Sequence, residues 1–279
     1  MGVGGPVGIY VDVANIQANG GFGMQYDILR RLACRGGGEA LRLNVYAVYD
    51  DARAARDPAY QQKVSNFFAS LREFGYKVIV KHFRWYTDEE GNRYAKANAD
   101  LEMAVDALTQ SRNLSRVVLV TGDGDFVQVV RALQDQGCRV EIVAFENVSG
   151  ALKREADDYI CGYLIPGLLP ARRGGNGNGR PPWGEAGSRV RGTCYYHAQE
   201  GGYGFIRYLR GDVTWADNLW VTDTRDADSP YASAFFRDSE LPADVRPADL
   251  PSHETVLEFD LVASPVKEGS LQAVQIQRI

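Results

Sequence analysis

Short runs of β-branched and other apolar residues alternate with amphipathic segments through the first 168 positions of the chain. The apolar runs predict buried strands, and apolar residues repeated every three to four positions predict the helices that cover them. The predicted strands span residues 8–13, 42–49, 77–85, 116–121 and 139–143, and the predicted helices span residues 24–34, 60–74, 100–111, 125–136 and 148–163. This alternation predicts an α/β domain, residues 1–168, whose mostly parallel sheet is covered on both faces.

The pattern changes after residue 168. Residues 169–188 are rich in Gly, Asn, Pro and Arg, a composition that cannot bury enough surface to pack, so we interpret them as a linker. Residues 189–279 are rich in glycine, β-branched and aromatic residues in short runs, which predicts a small all-β barrel. Its predicted strands span residues 190–196, 204–208, 218–221, 233–236, 255–261 and 272–277.

Charge and cysteine content narrow the possible partners and compartments. The net charge is −5, and residues 189–279 hold 9 basic and 14 acidic residues. Binding of nucleic acid through bulk positive charge requires the opposite balance, so phosphate recognition here must use local patches or metal ions. The four cysteines are scattered and form no Cys-x-x-Cys pair, which favours a reducing compartment. Without a long apolar run or a signal-peptide pattern, we expect a cytoplasmic protein with no membrane span.

The segment VVLVTGDGDF, residues 117–126, carries the first candidate chemistry. It predicts a buried strand followed by a sharp turn. Gly122 and Gly124 lack a Cβ, so we expect them to let a ligand approach the backbone of this turn. Asp123 and Asp125 lie just past the strand, at the edge where open α/β sheets bind ligands. The alternative is that one of these acids merely caps the helix that follows.

Two more acids occur at related positions. Asp12 ends the first predicted strand, where a carboxylate is costly without a cation, hydrogen-bond donors or water, and Asp100 begins the third predicted helix. If the first and fourth strands are neighbours, Asp12, Asp123 and Asp125 converge at one edge of the sheet. Asp100 then closes the cluster. Crowded carboxylates repel one another, and Mg²⁺ or Mn²⁺ removes that conflict. The alternatives are a helix N-cap for Asp100 and a turn residue for Asp12.

Four separated motifs then occur in order: VGIYVDVANIQ, KANADLEMAVDAL, VVLVTGDGDFVQVVRALQDQGCRVEIV and ALKREADDYI. Together they resemble the NYN domain of the PIN-like nuclease superfamily, LabA-like branch, over about residues 6–166. The resemblance implies a PIN-like three-layer fold and Mg²⁺- or Mn²⁺-dependent hydrolysis of RNA. Carried over by position, the catalytic and metal-binding acids are Asp12, Asp100, Asp123 and Asp125, with Asn15 in support. A non-catalytic RNA-binding or regulatory scaffold is the alternative.

Basic residues near the third helix offer possible phosphate contacts. Lys96 is our candidate RNA-binding residue in this domain, together with Lys81 and Arg84. Such contacts would position the backbone of an RNA substrate without reading its sequence. The alternative is that each of these side chains is simply exposed to solvent.

The barrel region contains GGYGFIR at residues 201–207, which places Tyr203 and Phe205 on one face of a strand. Exposed aromatics there would stack RNA bases, and the alternative is an ordinary barrel core. With GTCYY at 192–196 and AFFRDS at 234–239, this motif resembles the cold-shock domain, an OB-type barrel. The resemblance implies that single-stranded RNA binds through Tyr196, Tyr203, Phe205, Phe235 and Arg237.

One departure from the cold-shock pattern leaves a further alternative. A stretch near residues 209–233, with Trp215 and Trp220 among several acids, is inserted between the two strands that would bind RNA. Together with the negative charge of residues 189–279, this insertion suggests a protein-binding module or a contact between copies of the chain. Protein contact is therefore the alternative to RNA binding for this domain.

Overall fold

The computed structural model describes residues 4–87, 93–96, 99–170, 181–211, 218–265 and 268–279, with the backbone alone for 84–87 and 93–96. The chain divides into two compact units, Met1–Cys161 and Gly162–Ile279. None of the described helices is long and apolar enough to cross a lipid bilayer.

The first unit alternates strands and helices, as the apolar pattern predicts. Its strands are β1 (Pro6–Asp12), β2 (Glu39–Tyr49), β3 (Lys77–His82), β4 (Arg84–Thr87), β5 (Arg93–Lys96), β6 (Arg116–Val120), β7 (Arg139–Ala144) and β8 (Asp158–Cys161). Its helices are α1 (Val13–Ala18), α2 (Tyr26–Ala33), α3 (Asp51–Ala54), α4 (Pro58–Glu73), α5 (Asp100–Gln110), α6 (Val127–Asp135) and α7 (Gly150–Glu155).

The main sheet of this unit has the strand order β3-β2-β1-β6-β7-β8, and every neighbouring pair is parallel. The predicted α/β fold with a parallel sheet is therefore confirmed. Strands β1, β6 and β7 are buried along almost their whole length, because helices cover both faces. Strands β2 and β3 follow β1 on one side, and β6, β7 and β8 follow it on the other side. The direction in which strands are added therefore reverses between β1 and β6. Ligands bind at such switch points in open sheets.

Three secondary-structure predictions are wrong in detail. The helix predicted at 148–163 ends at Glu155, and its second half is the edge strand β8, which is too short for its period to identify. The strand predicted at 77–85 is divided between β3 and the first strand of the hairpin β4–β5. The strand predicted at 218–221 consists of turns.

The second unit contains a closed five-stranded barrel, which confirms the predicted all-β fold. Its strands are β9 (Arg189–Ala198), β10 (Tyr203–Leu209), β11 (Tyr231–Arg237), β12 (Ser252–Ala263) and β13 (Leu271–Arg278), in the order β10-β11-β13-β12-β9. The β11–β13 pair is parallel and the others are antiparallel. This order and these directions are those of an OB-type barrel.

A buried ionic cluster lies at strands β6 and β7 of the parallel sheet. Glu141 on β7 is fully buried and accepts two hydrogen bonds from Arg35, at 2.9 and 2.8 Å. Arg139 and Arg116 also approach it, at 3.1 and 3.4 Å. Burial alone would raise the pKa of Glu141, but the hydrogen bonds and charges of these arginines hold that pKa below its ordinary value. The carboxylate is therefore compensated where it is buried.

We expect Glu141→Ala to destabilise the first unit by about 3–5 kcal/mol, because it leaves the charge of the buried Arg35 guanidinium without a carboxylate partner. Urea unfolding followed by circular dichroism at 222 nm measures this, since α1–α7 all lie in the first unit. The matched control is Glu155→Ala, which removes an exposed pair with Arg131. Equal unfolding midpoints for the two variants would contradict the expected role of Glu141.

Candidate active site and nucleic-acid interface

Asp12 stands at the carboxyl end of β1, where the chain turns into α1. Its Oδ1 accepts a hydrogen bond from the backbone N–H of Asn15 at 3.0 Å, so Asp12 caps the helix. The residue is only 8 % exposed. A capping role is therefore real, but it does not explain the burial, because a cap works equally well in contact with water.

Asn15 joins the ends of the two central strands. Its Oδ1 accepts a hydrogen bond from the backbone N–H of Gly122 at 2.9 Å. Gly122 comes two residues after the end of β6, so this bond spans the switch point between β1 and β6. Asn15 is therefore a positioning residue: its side-chain oxygen holds the turn after β6 against the turn after β1.

Two hydrogen bonds shape the turn that follows β6. The Oγ1 of the buried Thr121 accepts from the backbone N–H of Asp123 at 3.2 Å. The Oδ1 of Asp123 accepts from the N–H of Asp125 at 3.0 Å, which caps a short 3-10 turn. A Cβ on Gly124 would lie 2.8 Å from the Oγ of Ser149, so the turn needs a glycine there. Asp123 therefore caps the 3-10 turn that leads into α6, while α6 itself begins after Phe126 and has no side-chain cap.

Asp100 is the first residue of α5, and the N-cap of that helix is Ala99. The alternative that Asp100 is the N-cap is therefore wrong. Its position in the first turn is favourable for an anion, because the helix dipole is positive at this end.

Three of the four acids lie close enough for the charges of Asp100 and Asp123 to act on Asp12. Burial raises the pKa of Asp12 to about 6, backbone hydrogen bonds oppose this, and the charges of Asp100 and Asp123 raise it further. Asp125 is exposed and is not among the groups that shift this pKa. In the described part of the chain, no basic side chain forms an ion pair with Asp12, Asp123 or Asp125.

The oxygen donors at this edge fit an open divalent-cation site and do not fit a closed one. Among the residues that the structure describes, no group of three or more His, Cys, Asp or Glu side chains is close enough to hold a metal ion. Mg²⁺ commonly uses one or two carboxylates and completes its shell with water and substrate phosphates. Asp12 and Asp123, with Asp100 nearby, match that pattern.

Residues 6–165, more than half of the chain, match the family model described as NYN domain. The chain belongs to the NYN domain family. This family lies within the PIN-like superfamily, whose members are generally nucleases. The acidic edge described above is thus the candidate active site of an NYN domain.

This NYN protein is similar to two known proteins. It is 31 % identical over 108 residues to the low amplitude and bright protein LabA of Synechococcus elongatus, a match that covers 38 % of this chain and 56 % of LabA. It is also similar to the crystal structure of a protein of unknown function from Vibrio parahaemolyticus, with 24 % identity and a TM-score of 0.46. That match covers 58 % of this chain and 94 % of the other.

The basic candidates of the NYN unit have different outcomes. Lys81 binds Glu102 through a 2.6 Å contact between Nζ and Oε1, so its charge is already paired. Lys96 lies on β5, and its side chain falls outside the described residues. The side chain of Arg84, on β4, also falls outside the described residues.

The five predicted RNA-binding residues of the barrel form one patch on its outer surface, which we call the aromatic face. The ring centroid of Phe205 lies 6.0 Å from that of Tyr196 and 5.8 Å from that of Phe235. Tyr203 lies 5.8 Å from Phe235, and the guanidinium of Arg237 lies 5.8 Å from the centre of the Phe235 ring. Tyr196 is 47 % exposed. These residues are therefore available at the surface as a group.

The barrel interior is filled by the residues that alternate with this face. Ile206, Ala234 and Phe236 are fully buried and belong to the core. The alternative that Tyr203 and Phe205 form ordinary barrel core is therefore wrong, because strand alternation sends them to the other side.

A β-bulge adds an aromatic residue that the sequence pattern did not indicate. Tyr196 pairs with Phe205 and Cys194 pairs with Ile206, so Tyr195 is an extra residue in β9. Regular alternation would send Tyr195 and Tyr196 to opposite sides. Instead the ring of Tyr195 also lies beside Phe205, at 6.4 Å. Only the register of the pairing could have revealed this.

Residues 222–225, in the described part of the inserted segment, form a wall of a cleft of about 570 Å³ over the aromatic face. Arg207 Nη1 donates to the carbonyl of Thr222 at 3.0 Å, and the hydroxyl of Tyr231 donates to the carbonyl of Leu219 at 3.0 Å, so this part of the segment is tied to the barrel strands. The residues that line the cleft are Tyr195, Tyr196, Tyr203, Phe205, Arg207, Thr222, Asp223, Thr224 and Arg225. The aromatic face is thus walled on one side and carries arginines.

The raised pKa of Asp12 makes a prediction for stability in EDTA-treated protein. Because the pKa of Asp12 in the folded protein, about 6, exceeds its ordinary value of 3.8, the contribution of Asp12 to stability falls as pH rises from about 4 to about 6. Asp12→Asn keeps a capping side chain and removes the charge. We expect it to stabilise the protein at pH 7.5 by on the order of 2 kcal/mol and to have little effect at pH 4.

Thermal unfolding of both proteins across this pH range measures the difference. Asp135→Asn, which changes an acid at the far end of α6, is the control and should give a constant offset. An Asp12→Asn variant less stable than the unaltered protein at pH 7.5 would show that the carboxylate is not under electrostatic strain.

Proposed function

We propose that this NYN protein is a metal-dependent ribonuclease that hydrolyses phosphodiester bonds of RNA. One observation carries the proposal: Asp12 is buried beside Asp100 and Asp123, without an ion pair to a described basic side chain. Such an arrangement costs stability and is retained where an active site needs negative charge. Its place at the switch point of the sheet and the family membership both support this function.

We assign the binding of Mg²⁺ or Mn²⁺ to Asp12 and Asp123, with Asp100 completing the negative field. Such an ion supplies charge neutralisation for a phosphate and activates a water molecule for attack. The protein contributes the geometry: Asn15 holds the turn in place, and Gly124 leaves room for the side chain of Ser149 beside the turn. Asp125, on the exposed side of the turn, is placed to orient water or substrate.

For the barrel we propose binding of single-stranded RNA on the aromatic face. Stacked bases need exposed rings, and the face offers four predicted rings plus that of Tyr195. Arg207 and Arg237 supply local positive charge in a unit that is acidic as a whole, whereas the charge of Arg225 is paired with Asp223 at 2.7 Å. Cation–π contacts of arginine with bases suit such a surface.

A second candidate function is an RNA-binding regulator that does not cleave. It is favoured by the absence, within the described residues, of three acidic side chains already placed around one ion position. A protein that only presents RNA would need the aromatic face and would not need the carboxylates of Asp12 and Asp123. The two functions therefore differ in which variants lose activity.

We also propose a cytoplasmic location, because Cys34, Cys138, Cys161 and Cys194 are all free thiols.

The side chain of Trp220, in the inserted segment, is 79 % exposed and offers a contact for a protein partner or a second copy of the chain. Titration of the purified protein by light scattering would detect self-association.

We expect Asp12→Asn and Asp123→Asn each to reduce Mn²⁺- or Mg²⁺-dependent RNA cleavage by about 100-fold or more, while both variants still bind RNA. Cleavage of a labelled single-stranded RNA, with circular dichroism as the test of folding, measures this. Asp135→Asn is the matched control and should cleave normally. Unchanged cleavage by both site variants would eliminate the assignment, and no cleavage by the unaltered protein would favour the regulator.

We expect Phe205→Ala to weaken the binding of single-stranded RNA by at least fivefold, since stacking on an aromatic ring contributes about 1–3 kcal/mol per base. Fluorescence anisotropy at low salt, with the full-length chain, measures the affinity. Trp220→Ala removes an exposed aromatic that does not line the cleft, so it should leave the affinity unchanged. Loss of RNA binding in Trp220→Ala alone would move the interface to the inserted segment.

A further inference from the structure

A second cleft, of about 640 Å³, opens beside Asp12 in the NYN unit. Val13, the residue directly after Asp12, lines it, as do Ala47 and Val48 from β2. Its outer walls are the loop that precedes α2, which carries Phe22, and the helix α4. We call this space the α4 cleft. Its volume lies within the range of about 300–1,000 Å³ that is usual for small-ligand sites.

The walls of the α4 cleft carry apolar side chains that are not buried in the core. Helix α4 has 16 residues, of which Leu71 is the one buried residue among its described positions. Val64, Phe67 and Phe68 are only half-buried and face the cleft. Phe22 is 66 % exposed. An apolar surface of this kind, next to polar groups, is typical of a binding site.

Positive charge lies at the rim of the same cleft. The Nζ of Lys63 lies 5.5 Å from the ring centre of Phe22, and the guanidinium of Arg53 lies 4.3 Å above the ring of Tyr60. Arg53 also approaches Asp57 at 3.7 Å, so Lys63 is the stronger candidate for an anionic ligand. Aromatic rings beside a cation match a nucleotide, which has a flat base and a negative phosphate.

We propose that the α4 cleft is a nucleobase subsite. The base of the nucleotide next to the scissile phosphate stacks on Phe22 and packs against Phe67, and Lys63 contacts a flanking phosphate. This inference rests on the proposed ribonuclease function, because the phosphate that would be cleaved is the one at Asp12. A peptide would also find the apolar walls, but the cation at the rim and the neighbouring acidic site favour a nucleotide.

The test measures binding to the full-length chain that carries both Asp12→Asn and Phe205→Ala. The first change prevents cleavage of the RNA, and the second reduces the contribution of the aromatic face. The probes are 5′-AMP and a single-stranded RNA of six adenosines. We expect Phe22→Ala and Lys63→Glu each to weaken binding of the RNA at least fivefold. Phe22→Trp should restore the affinity, because tryptophan keeps a stacking surface.

Two control variants make the same kinds of substitution as Phe22→Ala and Lys63→Glu at sites away from the cleft. Leu41→Ala removes an exposed apolar side chain near the start of β2, and Lys77→Glu reverses a charge at the start of β3. Both should leave the affinity unchanged. Equal affinities in the cleft variants and the controls would overturn the proposal. So would a change of oligomeric state in Phe22→Ala without a change in RNA affinity, because the cleft would then be a protein interface.

The binding test remains decisive if the chain does not cleave RNA. Absence of cleavage by the unaltered protein with Mg²⁺ and Mn²⁺ would remove the ribonuclease function. Weaker RNA binding in Phe22→Ala and Lys63→Glu alone would then still support a nucleotide site in the cleft.

Discussion

The burial of the Asp12 carboxylate, which forms no ion pair with any basic side chain that the structure describes, is the constraint on which the acidic edge of the NYN unit depends. Asp12 must sit where β1 ends, and the turn after β6 must come to it, because the parallel sheet brings those two strand ends to the same edge. The hydrogen bond from Gly122 to Asn15 holds the two turns together. Both loops are therefore shaped around a concentration of negative charge.

The same sheet shows that this charge is not an accident of composition. Glu141 on β7 is equally buried, yet three arginines approach it and lower its pKa. Asp12 instead has backbone donors and two other acids as its neighbours, and its pKa rises. The fold neutralises one buried carboxylate and leaves the other strained, which is the pattern expected when a site gives up stability for function.

Aromatic residues serve two purposes in this chain. In the barrel, strand alternation separates a buried apolar core from an exposed aromatic face, and the inserted segment makes that face into a cleft. In the NYN unit, α4 turns half-buried aromatic residues toward a cleft beside Asp12. Each unit thus pairs partly exposed rings with nearby cations, which is the observation on which both RNA-binding proposals depend.

The sequence by itself determined the two fold classes, because strand and helix periods are local properties of the chain. It also indicated the acids, since an Asp after an apolar strand is visible in one dimension. It did not reveal β8, which is too short to show a period, or the place of Tyr195, which depends on a slip in register. Only the tertiary structure decided that Asp125 is exposed while Asp12 is buried, and that an apolar cleft is lined by Val13, the residue after Asp12. Distances between segments far apart in the chain follow from packing, and no local pattern encodes them.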